Sequence, residues 1–99
     1  MTTETITRKQ TKTQVKPPKM WKVVFLNDDK TPMDLVISLL MKIFKHDQKS
    51  AEEITLEIHN TGSAVAGVYP YEIAEHRSVE ATNIARANGA PLKIRVEEE

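Results

Sequence analysis

A Pro-Pro pair at residues 17 and 18 separates two parts of the chain that differ in composition. Residues 1–19 are rich in Thr, Lys and Gln, and after the first residue their only larger apolar side chains are Ile6 and Val15. Such a segment cannot bury enough apolar surface to offset an ordering entropy of about 1–2 kcal/mol per residue. We therefore predict a disordered N-terminal extension over residues 1–19 and a single folded domain over residues 20–99.

The charges of the 99-residue chain sum to zero but are unevenly distributed. Residues 1–19 carry a net charge of +4 from five Lys or Arg and one Glu, whereas residues 20–99 carry −4 from nine Lys or Arg and thirteen Asp or Glu. Phosphate binding requires clustered cations, so the acidic domain argues against a nucleic-acid partner. The chain has no cysteine for a disulfide or thiolate metal site, and no apolar run approaches the ~20 residues of a membrane span.

The apolar pattern of the domain predicts six elements in the order β-α-α-β-α-β. Short β-branched, aromatic or alternating segments predict three strands, over residues 21–26, 64–69 and 92–96. Apolar residues at helical spacing predict three helices, over residues 32–46, 50–60 and 71–88. The order predicts an α+β fold, a small single-domain α/β sandwich in which a three-stranded sheet packs on one side against helices.

Particular residues mark the predicted ends and faces of the helices. Thr31 is predicted to cap the first helix, because Pro32 and then Asp34 follow it. Ser50 is predicted to cap the second helix, and Gly62 to end it. The third helix is predicted to end at Asn88-Gly89, before Pro91, and to carry one set of residues on one of its sides: Ile73, Arg77, Ala81, Ile84 and Ala85.

The residues best suited to chemistry lie at two places, the turn Asn27-Asp28-Asp29 after the first strand and His59 near the end of the second helix. Turns of this composition often serve the backbone alone, and a single histidine often only packs. No Gly-rich phosphate loop, G-x-S-x-G or H-E-x-x-H signature is present, so we expect no enzyme. The turn also lacks the Gly and the distal Glu of a calcium loop, and we expect no metal or cofactor.

The same residue types suit the recognition of a peptide α-ammonium group. That group offers three N–H donors and one positive charge, which an Asn carbonyl, an Asp carboxylate and a neutral imidazole nitrogen can accept. An apolar socket beside them could bury the first side chain of the peptide and gain about 1.5–3 kcal/mol for a Leu or Phe. Recognition of a free N-terminus is therefore one possible function, beside a turn and a histidine that serve only the fold.

Four blocks of the sequence resemble the ClpS family, the N-end-rule adaptors of bacterial AAA+ proteases. The first block, VFLNDDKTPMD at residues 24–34, matches the family signature N-D-D-x-T-P-M-[ED]. The others are HNTGSAVAGVY at 59–69, EIAE at 72–75 and ARANGAPL at 85–92. The resemblance implies a non-enzymatic adaptor that binds proteins whose free N-terminal residue is Leu, Phe, Tyr or Trp. It also implies that the adaptor delivers them to a ClpA- or ClpC-type unfoldase.

The resemblance assigns roles to individual residues. Three hold the α-amino group of the bound peptide: Asn27, Asp28 and His59. Eight form the pocket for its first side chain: Phe25, Leu26, Thr31, Met33, Val36, Thr55, Ile58 and Leu92. Two on the third helix contact the N-terminal domain of the unfoldase: Glu72 and Arg77. Asp29 supports the turn, and the N-terminal extension takes part in delivery.

One pocket position departs from the family pattern. The family commonly has a Met on the second helix, three residues before the position of Ile58, and this chain has Thr55 there. In the family that Met restricts which side chains enter. The smaller Thr implies a relaxed or shifted specificity that admits β-branched first residues such as Ile or Val, although Ile58 in place of the usual Val partly refills the pocket.

Two other functions remain open from the sequence. A regulator that docks on the unfoldase without binding N-degrons would have no need of the intact Asn27, Asp28 and His59. An RNA-associated domain, similar in fold to the C-terminal domain of the ribosomal stalk protein, is disfavoured by the acidic domain and the lack of an aromatic stacking platform. The resemblance further implies a monomer in the bacterial cytoplasm or the plastid stroma.

Overall fold

The structure is a computed structural model that describes residues 16–99; residues 1–15, most of the predicted extension, lie outside the described residues. The described part contains three strands and three helices in the predicted order β-α-α-β-α-β. Their bounds are β1 Met20–Leu26, α1 Met33–Lys42, α2 Gln48–Thr61, β2 Ser63–Pro70, α3 Tyr71–Ala87 and β3 Lys93–Glu98. The predicted fold class is confirmed. None of these helices is long and apolar enough to cross a membrane.

The three strands form one antiparallel sheet in the order β2-β1-β3, with β1 in the centre. Because side chains alternate along a strand, Trp21, Val23 and Phe25 of β1 lie on one face. Val23 and Phe25 are fully buried, and the Trp21 ring meets that of Tyr71 on α3 edge-on, with centroids 4.9 Å apart. This face of the sheet packs against the helices and carries the core.

A β-bulge interrupts the pairing of β1 with β2 between Val23 and Val24. Gly67 of β2 pairs with Val23 at this point, and the ring of Tyr69 lies over Gly67 so closely that a Cβ there would collide with it. A glycine inside a strand is typical of such a bulge or close approach. Gly67 therefore makes room for the Tyr69 ring on the helical side of the sheet.

Helix α3 lies against all three strands through a stripe of small side chains. Its buried residues are Ala74, Ser78, Ala81 and Ala85. Two larger residues that the sequence grouped with Ala81 and Ala85 on one side of the helix are exposed, Ile73 by 44% and Ile84 by 38%. Small side chains let the helix axis approach the sheet closely, and this packing requirement outweighs the hydrophobicity of the two isoleucines.

Helix α1 begins differently from the prediction. Pro32 occupies its cap position without a capping side chain, and the helix proper begins at Met33. The hydroxyl of Thr31 donates instead to Oδ2 of Asp28 at 2.7 Å. The cap position falls on Pro32, one residue after Thr31, and the Thr31 hydroxyl instead donates a charge-assisted hydrogen bond within the preceding turn. The helix ends at Lys42 rather than at residue 46, and Lys45 then adopts a left-handed φ of 62°.

Helix α2 begins at Gln48, two residues earlier than predicted. Asp47 is its cap, with a side chain that accepts from the backbone N–H of Ser50 at 2.8 Å. Ser50 therefore lies within the first turn and is not the cap. The predicted end is confirmed: Gly62 follows the helix with a φ of 98°, which a glycine adopts without strain, and its N–H donates to the carbonyl of Ile58.

Candidate functional site

A cavity of about 260 Å³ opens where the end of β1 meets α1, α2 and the segment before β3. Its volume is below the ~300–1,000 Å³ typical of small-molecule pockets and suits a single amino-acid side chain. The lining combines polar residues at one end with apolar ones, in the following set: Leu26, Asn27, Asp28, Asp29, Thr31, Met33, Val36, Thr55, Ile58, His59 and Leu92. Residues far apart in sequence, including those assigned to the α-amino group, thus meet in one place.

Phe25 is absent from the wall of this cavity, contrary to its assignment to the side-chain pocket. Its ring is fully buried and packs edge-on against Phe44, with ring centroids 5.4 Å apart. Consecutive residues of a strand point to opposite sides, so Phe25 and Leu26 cannot share one environment. Leu26 lies at the end of β1, where the strand opens into the cavity, whereas Phe25 belongs to the core.

A backbone hydrogen bond joins the two polar parts of the site. The N–H of Asn27 donates to the carbonyl of Gly62 at 2.9 Å, which ties the turn after β1 to the end of α2. The last turn of α2 carries His59. Asn27 and His59 are exposed and Asp28 is half-buried, so all three side chains are accessible from solvent at the cavity.

The carboxylate of Asp28 is held in a fixed orientation by the turn. Its Oδ1 accepts from the backbone N–H groups of Lys30 and Thr31, both at 2.8 Å, and its Oδ2 accepts from the Thr31 hydroxyl at 2.7 Å. A carboxylate has about four acceptor sites, so one position on Oδ2 stays free for a further donor. Thr31 and Asp28 together make a rigid acceptor at the cavity rim.

The same contacts keep Asp28 ionised. Burial raises its pKa, but the hydrogen bonds from Thr31 and Lys30 and the positive charge of Arg86 outweigh burial, and the pKa lies below its ordinary value of 3.8. A pKa that is lower in the folded chain means that this turn stabilises the fold fully above pH 3.8. That contribution is lost as the pH falls through the folded value. At neutral pH the rim therefore carries a negative charge.

The electrostatics of the polar end favour a cationic ligand group. Asp28 and Asp29 line the cavity, and no lysine or arginine does so among residues 16–99. The C-terminal end of α2, which carries His59, adds the partial negative charge of a helix terminus. An ammonium group would find acceptors and favourable charge here, whereas a phosphate or carboxylate would be repelled.

The apolar end of the cavity is formed by residues from three elements. Val36 of α1, Ile58 of α2 and Leu92 before β3 are buried, whereas Met33 at the start of α1 is partly exposed. Thr55 of α2 is also buried, and its hydroxyl donates to the carbonyl of Ala51 at 2.7 Å. Because this hydroxyl is satisfied within the helix, Thr55 adds no free polar donor to the apolar end.

Arg86 supports the wall of the cavity in a way that sequence reasoning did not identify. Its Nη1 donates to the carbonyls of Ala90 and Leu92, at 3.0 and 2.8 Å, and so fastens the segment between α3 and β3 to the helix. Leu92 lines the cavity from that segment. Arg86 lies in the ARANGAPL block, but nothing in its local sequence shows that it bonds carbonyls four and six residues later.

The two residues assigned to the unfoldase contact lie outside the cavity lining, on α3. Glu72 is exposed in the first turn of the helix. Arg77 is half-buried, and its guanidinium carbon lies 5.7 Å from the centroid of the Tyr69 ring. Within residues 16–99 no three His, Asp or Glu side chains are grouped as a metal site would require.

Comparison with known proteins identifies relatives along nearly the whole described chain. The family profile described as "ATP-dependent Clp protease adaptor protein ClpS" matches residues 16–95. The ATP-dependent Clp protease adapter protein ClpS of Sodalis glossinidius is 41% identical over 92 residues, which cover 93% of this chain and 87% of the relative. That of Bdellovibrio bacteriovorus is 46% identical over 82 residues, which cover 83% and 72%.

A solved structure shares the fold. It is described as the structure of Agrobacterium tumefaciens ClpS2 bound to L-phenylalaninamide, and it superposes with a TM-score of 0.81 at 36% identity. The match covers 84% of this chain and 100% of the other.

Proposed function

The chain belongs to the ClpS family of ATP-dependent Clp protease adaptors, and on this premise we propose that it binds N-degrons. In this proposal it holds the free α-amino group and the bulky hydrophobic first side chain of a substrate protein and delivers that protein to a ClpA- or ClpC-type AAA+ unfoldase for degradation. The observation that carries the proposal is the rim of acceptors, with Asp28 held ionised, directly beside an apolar socket sized for one side chain.

The α-amino group fits the polar end of the cavity. Its three N–H donors match the side-chain oxygen of Asn27, the free acceptor position on Asp28 Oδ2 and a ring nitrogen of His59. Each charge-assisted bond contributes roughly 1.5–3 kcal/mol. The excess negative charge of this end supports the choice of an ammonium group over a neutral one.

The first side chain fits the apolar end. The A. tumefaciens relative was bound to L-phenylalaninamide, a molecule with a free amino group and an aromatic side chain. The cavity of this chain is lined by the Asp28 carboxylate and by apolar side chains that include Val36, Ile58 and Leu92, which supports binding of a ligand with both parts. Burying the first side chain of the substrate, such as a Leu or Phe, supplies about 1.5–3 kcal/mol. Together with the polar contacts of the α-amino group, this gain supports micromolar binding.

The proposal is tested by fluorescence anisotropy with a labelled peptide that carries a free N-terminal Leu. We expect the peptide to bind, and its N-acetylated copy to bind at least tenfold more weakly, because acetylation removes the charge and two of the three donors. A Leu-to-Ser change at the first position supplies the matched control for the socket. Absence of binding to every free N-terminus would favour the alternative function, a regulator that docks on the unfoldase without binding N-degrons.

Thr55 is expected to widen the range of accepted first residues. Thr55 lies buried in the cavity wall where the family commonly has a Met, and the smaller side chain leaves more room in the socket. We expect the wild-type chain to bind an Ile-first peptide within about tenfold of the Leu-first peptide, a difference of about 1.4 kcal/mol or less, near the lower end of what a pocket gains from one methylene group. The Thr55→Met variant should increase the ratio of the Kd for the Ile-first peptide to the Kd for the Leu-first peptide.

The outer face of α2 offers a matched control for this substitution. Leu56 is exposed and does not line the cavity, so Leu56→Met should leave the Leu-to-Ile ratio unchanged. A wild-type chain that discriminates as strongly as Thr55→Met would show that residue 55 does not set the specificity.

A further inference from the structure

Tyr69 is the outermost ring of an aromatic cluster that begins in the core with Phe25 and Phe44. The buried Phe25 ring packs edge-on against Phe44, and the Phe44 ring lies 6.3 Å from that of Tyr69 at an interplanar angle of 38°. Gly67 leaves room for the Tyr69 ring on its strand. The ring is thus restrained by the core on one side and by the backbone of β2 on the other.

Arg77 of α3 lies on this ring. Its guanidinium carbon is 5.7 Å from the Tyr69 ring centroid, within the range of a cation–π interaction. Burial raises the pKa of the Tyr69 hydroxyl while the charge of Arg77 opposes that effect, which agrees with the two groups being in contact. The side chain of Arg77 is therefore oriented by an aromatic surface and not by an acidic partner on its own helix.

One atom of Arg77 is left in an unfavourable state by this arrangement. Its Nε is buried and has no hydrogen-bond acceptor, the only such side-chain nitrogen or oxygen found among residues 16–99. A buried donor without an acceptor destabilises a fold, and an exposed arginine could avoid the cost by turning to solvent. The cation–π contact with the Tyr69 ring stabilises the charge of the Arg77 guanidinium and so holds the Arg77 side chain in this position.

We propose that Tyr69 is a positioning residue for the unfoldase contact: its ring holds the Arg77 guanidinium in the orientation that the partner protein meets. This inference rests on the proposed function, delivery to an unfoldase, and on the unfoldase contact that the family resemblance assigns to Arg77. It adds a residue from β2 to a contact that otherwise consists of two charges on α3. A fixed, planar guanidinium also costs less entropy on binding than a freely rotating one.

The test measures binding of the full chain to full-length ClpA-type and ClpC-type unfoldases by biolayer interferometry. We expect Tyr69→Leu to weaken binding about two- to fivefold, the range of a partly exposed cation–π pair. Tyr69→Phe keeps the ring and should bind like the wild type. In an Arg77→Ala background, Tyr69→Leu should produce no further loss, because the group that it positions is gone.

The affinity for an N-terminal Leu peptide separates this inference from the proposed function. Neither Tyr69 nor Arg77 lines the cavity, so each variant should bind the peptide as the wild type does. An equal loss from Tyr69→Leu with and without Arg77 would overturn the inference, and so would a Tyr69→Phe variant as weak as Tyr69→Leu. An Arg77→Ala variant that docks normally would also overturn it, whereas loss of wild-type peptide binding would refute the N-degron function itself.

Discussion

Replacing Asp28 with Asn is expected to weaken the binding of a Leu-first peptide about 10- to 150-fold, the effect of losing one charge-assisted hydrogen bond of 1.5–3 kcal/mol. The amide retains an oxygen that can accept from the N–H groups of Lys30 and Thr31, so the turn keeps its shape. The amide nitrogen that replaces Oδ2 has no charge and cannot accept a donor from the α-ammonium group. Anisotropy titration of the labelled peptide measures the change.

The neighbouring Asp29 provides the matched control for this substitution. It lines the same cavity and carries the same formal charge, but it is exposed and makes none of the side-chain hydrogen bonds that fix Asp28. Asp29→Asn should therefore change the affinity by less than about threefold, as expected of a solvent-screened charge. Equal losses in the two variants would show that the net charge of the rim, and not a specific bond to Asp28, attracts the peptide.

Replacing Phe25 with Ala is expected to lower the free energy of unfolding by about 3–5 kcal/mol, since its ring is fully buried against Phe44 in the centre of the core. Small domains have a total stability of about 5–15 kcal/mol, so this loss is a large fraction of the whole. Urea unfolding monitored by Trp21 fluorescence measures it. Ile73→Ala is the control, because Ile73 is 44% exposed and its truncation should cost less than about 1 kcal/mol.

The milder substitution Phe25→Leu tests the position of this side chain relative to the cavity. It retains an apolar side chain in the core and should leave a chain that is folded at room temperature. Because Phe25 does not line the cavity, the affinities for Leu-first and Phe-first peptides should both stay within about threefold of wild type. If Phe25→Leu changed which of the two peptides binds more tightly, the Phe25 ring would have to contact the bound side chain.

The sequence predicted the order of elements well because the signals for it are local. A β-branched or aromatic run, a polar turn and a glycine after a helical pattern each act within a few residues. Gly62 illustrates this: its φ of 98° ends α2 where the sequence predicted. Helix starts were predicted less well, since Thr31 and Asp47 each had more than one possible hydrogen-bond partner nearby. The pattern of residue types cannot decide which partner is chosen.

Residue types alone drew attention to the Asn27-Asp28-Asp29 turn and to His59, but the apolar residues of the pocket were named from the resemblance. Periodicity alone does not show that Asn27 and His59 line one cavity, because they are brought there by a backbone hydrogen bond from Asn27 to Gly62, 35 residues later in the chain. The inward face of α3 shows the same limit. Helical spacing groups Ile73 and Ile84 with Ala81 and Ala85 on one side of the helix, but the residues buried against the sheet are alanines and Ser78.

The sequence by itself therefore determined the fold class, the element order and the presence of an acidic turn before a helix, because these follow from residue types within short windows. Only the tertiary structure decided which side chains act together. Arg86 bonds to the carbonyls beside Leu92, Thr31 fixes Asp28 instead of capping a helix, and Tyr69 supports Arg77 from another element. These contacts depend on how helices and strands pack against one another, and packing is a property of surfaces that the chain assembles only on folding.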